Sequence, residues 1–230
     1  MDREKHKLLR RIERRFAVVR QQVALHGEMF EYIEVADEEQ VLKLIDESCD
    51  DDRPSLQPYW AHAWESSIGL CETLARETLD DKDVLDLGCG LGLVGAFAAS
   101  RGARVLMADA VPPAMLFARY NSWQWRDRCQ VRTIDWCTDR LPQRFDLIAG
   151  ADIVYDKTDW QALIEFWTFH LKPGGRVVLA EPKRHSGKEF QEWLAGKNWT
   201  IDQRIIAVTE TNFPIRLFDL SLSRSVVSVR

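Results

Sequence analysis

The stretch Val84-Leu-Asp-Leu-Gly-Cys-Gly-Leu-Gly-Leu-Val-Gly95 constrains this chain more than any other. Val84 to Leu87 reads as a short, buried apolar strand, and the glycines at 88, 90 and 92 then let the main chain bend with nothing projecting from Cα. A ligand can lie directly against the backbone there. Leu91 to Ala99 reads as a helix, so the same bend presents helix N-terminal amides, which favour a carboxylate or phosphate. Gly90-Leu-Gly92-Leu-Val-Gly95 also fits the dinucleotide fingerprint, which alone does not choose between nucleotide classes.

A chain of 230 residues can bury one sizeable α/β core with a short extension. Its hydrophobic fraction of 46% and charged fraction of 29% are those of a water-soluble globular protein. No apolar run approaches the roughly 18 residues of a membrane span. The N-terminus has no apolar signal core, and Asp2, Glu4 and Glu13 argue against a transit peptide, so a cytoplasmic protein is expected. The five cysteines at 49, 71, 89, 129 and 137 form no CxxC pair, which points to reduced thiols and no metal. Net charge is −5, but residues 1–20 carry +5 and the remainder −10, which argues against nucleic acid as a general partner.

Along the chain, Leu8, Ile12, Phe16, Val19 and Val23 recur at helical spacing with Lys and Arg between them. That spacing predicts an amphipathic helix over 2–26, either docked with its basic face in solvent or serving as a clamp for an acidic protein or a dimer contact. A strand over 30–35, a helix over 38–48 and a solvated break at Asp50-Asp-Asp-Arg-Pro54 follow. The expected division is a helical extension over 1–55 and a domain over 56–230.

A second strand, 104–109, ends in Asp109, 19 residues after Gly90. A carboxylate there can accept from both ribose hydroxyls, in NAD as in any other nucleoside. After a helix over 112–125, a third strand at about 130–134 leads into Asp135-Trp136: a carboxylate for an adenine amino group and an indole to cover the ring. A fourth strand, 145–149, delivers Gly150-Ala151-Asp152-Ile-Val-Tyr155 to the carboxyl edge, where open α/β sheets carry their chemistry. The remainder reads as a helix over 159–171 with His170 as packing or surface, a Lys172-Pro-Gly-Gly175 turn, a strand over 176–181 and a helix over 187–196. Two last strands, 200–208 and 216–222, flank a loop with Asn212 and Pro214.

Asp86 stands two residues before Gly88, and Asp-x-Gly-x-Gly-x-Gly resembles the signature of class I S-adenosylmethionine-dependent methyltransferases. Tyr59-Trp60-Ala61 with Trp64, the Asp135-Trp136 pair and Asp152-Ile-Val-Tyr155 together resemble the seven-β-strand lysine methyltransferase family that includes the enzyme modifying the electron-transfer flavoprotein β subunit, and Leu171-Lys-Pro-Gly-Gly175 ahead of an apolar strand resembles methyltransferases in general more than dehydrogenases. The resemblance spans about residues 57–222. It implies a doubly wound, Rossmann-like α/β fold whose seven-stranded sheet is mostly parallel with an antiparallel last strand. It implies S-adenosylmethionine as cofactor, held by Trp64, Asp86, Gly88, Cys89, Gly90, Asp109, Asp135, Trp136 and Ala151. It further implies Asp152 as the group that orients an amine, Tyr155 as the wall of the pocket, and the loop between the last two strands as its border. Cys137 departs from the glycine that family commonly has after its Asp-Trp pair. The expected activity is N-methylation of a protein lysine. The alternatives are a small amine or nicotinamide-like acceptor, an NAD-dependent dehydrogenase, and a non-catalytic nucleoside-binding module.

Overall fold

The computed structural model describes residues 2–37, 39–42, 58–208 and 211–223. Within them the order is α1 (Arg3–Glu13), β1 (Val18–Leu25), β2 (Glu28–Val35), α2 (Glu65–Leu74), β3 (Asp83–Leu87), α3 (Leu93–Ser100), β4 (Arg104–Asp109), α4 (Pro112–Asn121) and β5 (Cys129–Thr133). There follow β6 (Phe145–Ala151), α5 (Trp160–His170), β7 (Leu171–Pro182), α6 (His185–Leu194), β8 (Trp199–Ala207) and β9 (Pro214–Leu222).

Seven of these strands form one sheet in the order β5-β4-β3-β6-β7-β9-β8. Pairings are parallel from β5 through β7, and β9 is antiparallel to both β7 and β8. The expected doubly wound sheet with an antiparallel last strand is therefore present. Alternate residues of the central strands enter two separate cores: Val84, Val105 and Met107 on one face, Leu85, Leu87, Leu106 and Ala108 on the other. Helices cover both faces, which is why these strands are apolar at nearly every position. The Lys172-Pro-Gly-Gly175 turn lies inside β7 as an irregularity: pairing with β6 runs from Phe145–Leu171 to Leu147–Arg176. His170 is fully buried packing. Its Nε2 accepts from the Leu141 amide at 2.9 Å and its Nδ1 lies 2.7 Å from the Phe166 carbonyl, so the proton sits on Nδ1.

The N-terminal region corrects the expectation of one helix over 2–26. Helix α1 stops at Glu13, and Val19 and Val23 lie on β1 of a two-stranded hairpin. His26 and Gly27, both at positive φ, make the two-residue turn that suits a hairpin. β-Branched Val18, Val19 and Val23 favour the strand that the helical spacing obscured. The hairpin packs on the face made by α3 and α4. Phe16 meets Trp60 and Phe117 edge-on at 5.6 Å each, and Phe30 stacks on Trp125 at 5.3 Å. Asn121 bridges this layer to the glycine bend, bonding Ile33 through backbone N–H and C=O and the Leu91 carbonyl at 3.0 Å. The break at 50–54 and most of the helix expected over 38–48 lie outside the described residues. No helix among the described residues is long and apolar enough to cross a membrane.

Candidate active site

Strand β3 is the switch point of the sheet: β4 and β5 lie to one side of it, β6 and β7 to the other. A crevice opens above the carboxyl ends of strands at such a point. Every residue proposed from sequence to bind cofactor or acceptor lies at or beside this edge, apart from Trp64, which enters from the segment ahead of α2.

The bend after β3 needs its glycines. Gly88, Gly90 and Gly92 all have positive φ, at 65°, 48° and 78°. A Cβ on Gly92 would come within 2.9 Å of the Ala118 backbone in α4, and one on Gly88 within 2.6 Å of Ile153. Gly88, Cys89 and Gly90 are half-buried within a buried surround, so their main chain floors the crevice. The Cys89 amide is anchored on the Ala108 carbonyl at 3.0 Å.

Two carboxylates hold the bend. Asp86 is 1% exposed and lies beneath it, accepting from the Gly95 amide in the first turn of α3 at 2.8 Å. Burial pushes its carboxyl up to about 7, against the pull of that amide, with the nearby Asp109 adding to the rise. Asp86 thus meets a ligand only through the backbone it fixes. Asp109, at the end of β4, accepts from Gly90 through one oxygen at 3.0 Å and from Val111 through the other at 2.9 Å. Burial raises its pKa despite these amides. A carboxylate has about four acceptor positions, so each oxygen of Asp109 retains one for a hydroxyl pair. The glycine floor and the spare acceptors fit a bound nucleoside.

After β5, Asp135 caps a tight turn by accepting from the Cys137 amide at 2.8 Å. Trp136 is half-buried, and its ring comes within 3.7 Å of where a Gly88 Cβ would stand. Burial raises the Asp159 carboxyl and the neighbouring Trp136 indole partly offsets that rise, a pairing the sequence does not signal. The Cys137 thiol also lies against Asp159, at 3.9 Å, and burial raises it to about 11.

The opposite wall is aromatic. Trp64 donates its indole N–H to the Tyr59 carbonyl at 2.7 Å, and the Tyr59 ring meets Trp64 at 6.3 Å and Tyr155 at 5.6 Å. Sequence reasoning does not find Tyr59 as a wall residue: it sits nearly a hundred positions from Tyr155, and only the fold joins them. Burial raises the Tyr155 phenol to about 12, so it is a neutral donor at physiological pH.

Ala151 ends β6, paired with Ala180 of β7, and Asp152 follows at φ 56°. Asp tolerates this left-handed conformation better than most residues, yet it remains a strained one of the kind that gathers at functional sites. The Asp152 amide is held by the Ala180 carbonyl at 2.7 Å. Its side chain is 13% exposed and meets Arg184 Nη1 at 3.1 Å. Burial raises the Asp152 pKa, and the guanidinium partly offsets it. Next to it Glu181 and Arg216, both buried, pair at 2.8 Å across β7 and β9. Burial pushes Glu181 up to about 7 even with that partner.

A seven-stranded sheet with a glycine-floored crevice at its switch point is the architecture of class I methyltransferases. The glycopeptide N-methyltransferase MtfA complexed with S-adenosyl-L-methionine superimposes with a TM-score of 0.60 at 15% identity, over 68% of this chain and 94% of that one. The family profile described as lysine methyltransferase matches residues 54–195, more than half of the chain. This chain belongs to the lysine methyltransferase family. Mouse (Mus musculus) EEF1A lysine methyltransferase 3 is 30% identical over 62% of this chain and 65% of its own length. Zebrafish (Danio rerio) protein N-lysine methyltransferase METTL21A is 39% identical over 52% of this chain and 58% of its own length. The match thus spans about six tenths of these relatives.

Proposed function

We propose that this chain transfers the methyl group of S-adenosylmethionine to the side-chain nitrogen of a protein lysine. The observation that carries this reading is Asp152, a carboxylate held in strained backbone at the end of β6, three residues ahead of Tyr155 with its neutral phenol, in a member of the lysine methyltransferase family.

Bound in the crevice, S-adenosylmethionine supplies a methyl on a sulfonium: the amine lone pair forms the new N–C bond while the S–C pair stays on sulfur. The residues have to position the two partners. Gly88, Cys89 and Gly90 receive the cofactor against their main chain, with Asp86 fixing that chain from below. Asp109 accepts from the ribose hydroxyls, Asp135 from the adenine amino group, and Trp136 covers the adenine face. Trp64 and Ala151 border the cofactor on the acceptor side. Asp152 draws the acceptor nitrogen to the carboxyl edge, and Tyr59 and Tyr155 wall the channel through which an aliphatic chain reaches it. An aromatic wall disfavours the ammonium, whereas ionised Asp152 favours it, so the proton must leave to water before attack. A cytoplasmic setting belongs to the same reading, supported by the free thiols of Cys71, Cys89, Cys129 and Cys137.

The test incubates the protein with methyl-tritiated S-adenosylmethionine and cell extract, followed by mass spectrometry of labelled peptides. Label on lysine nitrogens is expected. Label confined to low-mass products would replace the acceptor with a small amine, and protection from thermal unfolding by NADH but not by S-adenosylhomocysteine would overturn the methyltransferase reading.

A further inference from the structure

The Asp152 carboxylate already carries a cation. Arg184 Nη1 lies 3.1 Å from Asp152 Oδ1, and the arginine side chain is 46% exposed where the carboxylate is only 13% exposed. The guanidinium is therefore the solvent-facing partner of the pair and covers part of the Asp152 carboxylate. The backbone of Arg184 is fastened at both ends. Its N–H donates to Glu181 Oε2 at 3.3 Å, and its carbonyl accepts from Arg216 Nη1 at 3.2 Å. Glu181 and Arg216 are themselves a buried pair, and Gly187 in the first turn of α6 leaves the space they fill, since a Cβ there would fall on the Glu181 carboxylate. A rigid anchor thus bears a long, half-exposed, rotatable arm.

The charges facing this point are Asp152 from the end of β6, Glu181 from β7, Arg184 from the following loop and Arg216 from β9. Two acids meet two guanidinium groups. Glu181 and Arg216 are paired with each other in the interior, whereas Arg184 is half-exposed, so Arg184 is the partner that Asp152 would exchange for an incoming charge.

We propose that Arg184 gates the acceptor site: its guanidinium stands in for the ammonium of the acceptor on Asp152 and yields to it. The gate rests on the lysine reading and sharpens it. A protonated primary amine replaces one cation by another on the same carboxylate. A neutral heterocycle or phenol would have to break the pair and leave Asp152 without a partner, so the gate selects amines that arrive charged. Once displaced, Arg184 remains tethered beside the site, where its charge favours loss of the amine proton before attack.

The test has two arms. In the first, n-butylammonium is titrated into the protein loaded with S-adenosylhomocysteine and followed by NMR, for wild type, Arg184→Ala and Arg184→Lys. Arg184→Ala should bind it about threefold to fivefold more tightly, the scale of a partly exposed ion pair, with Arg184→Lys closer to wild type. Equal or weaker binding by Arg184→Ala overturns the gate, whether or not lysine is the natural acceptor. In the second, initial rates are measured against the concentration of a protein fraction that wild type labels. Arg184→Ala should show a lower half-saturation, a lower rate at neutral pH and a pH profile displaced to higher pH. A raised half-saturation with an unmoved profile, in a variant that melts normally and binds S-adenosylhomocysteine, would mark Arg184 as merely structural. Should Arg184→Ala fail to fold, Arg184→Gln takes its place in both arms. Failure of wild type to label any protein lysine refutes the acceptor assignment and leaves the first arm intact.

Discussion

Asp86→Asn tests the electrostatics beneath the glycine bend. The wild-type carboxyl is 1% exposed and stands at about 7, against about 3.9 for an unfolded aspartate. Its folded pKa is raised, so in the window between about 4 and about 7 the native state keeps a proton that the unfolded chain has released. Stability contributed by this group is whole below that window, declines as pH rises through it, and is lost above about 7. A gap of about 3 pKa units corresponds to roughly 4 kcal/mol. Asparagine has the same shape, never ionises, and can still accept from the Gly95 amide through Oδ1. Its buried amide donors cost ~1–3 kcal/mol if left unpaired, a term that does not vary with pH. Urea unfolding of both proteins from about pH 5 to about pH 8.5 should therefore show the variant gaining on wild type until about pH 7 and running parallel above it. Parallel curves throughout would mean that Asp86 ionises in place at an ordinary pKa, and that burial does not hold its proton.

Trp136→Ala should weaken S-adenosylhomocysteine binding by ~1–3 kcal/mol in calorimetry, the range for one base stacked on an aromatic ring; unchanged affinity would leave the indole as core packing alone. Asp152→Ala should keep S-adenosylhomocysteine binding while losing most lysine methylation, and methylation at the wild-type rate would remove its assignment. Gly92→Ala combines a left-handed backbone penalty of ~1–2 kcal/mol with overpacking against Ala118 of ~1–3 kcal/mol. Its denaturation midpoint should fall accordingly, and an unshifted midpoint would show that α4 gives way freely.

The central strands are legible because they are short apolar runs bounded by turn residues, and a strand covered on both faces leaves that trace in order along the chain. Asp109 and Asp152 stand at the ends of such runs, whereas Asp135 follows the polar edge strand Cys129–Thr133 and is marked only by its pairing with Trp136. Residues that the fold alone brings together are not legible. Glu181 and Arg216 become neighbours because β9 returns antiparallel beside β7 and sets them opposite one another. Tyr59 reaches Tyr155, and Trp136 reaches Asp159, through loops whose geometry no periodicity encodes. In the N-terminal region two periods competed. Leu8, Ile12 and Phe16 fit a helix, and extending that spacing to Val19 and Val23 concealed a strand that Gly27 and the valines also signalled.

Phe16 leaves α1 to press edge-on against Trp60, whose carbonyl oxygen would lie 3.2 Å from a Cβ at Gly90. The arm ahead of residue 37 is thus wedged against the floor of the crevice as a keystone rather than hung from it as an appendage. Cutting it away would strip shelter from Trp60, Phe97, Phe117 and Trp125 together, and the cradle for the nucleoside would slacken even though no atom of the arm belongs to that cradle.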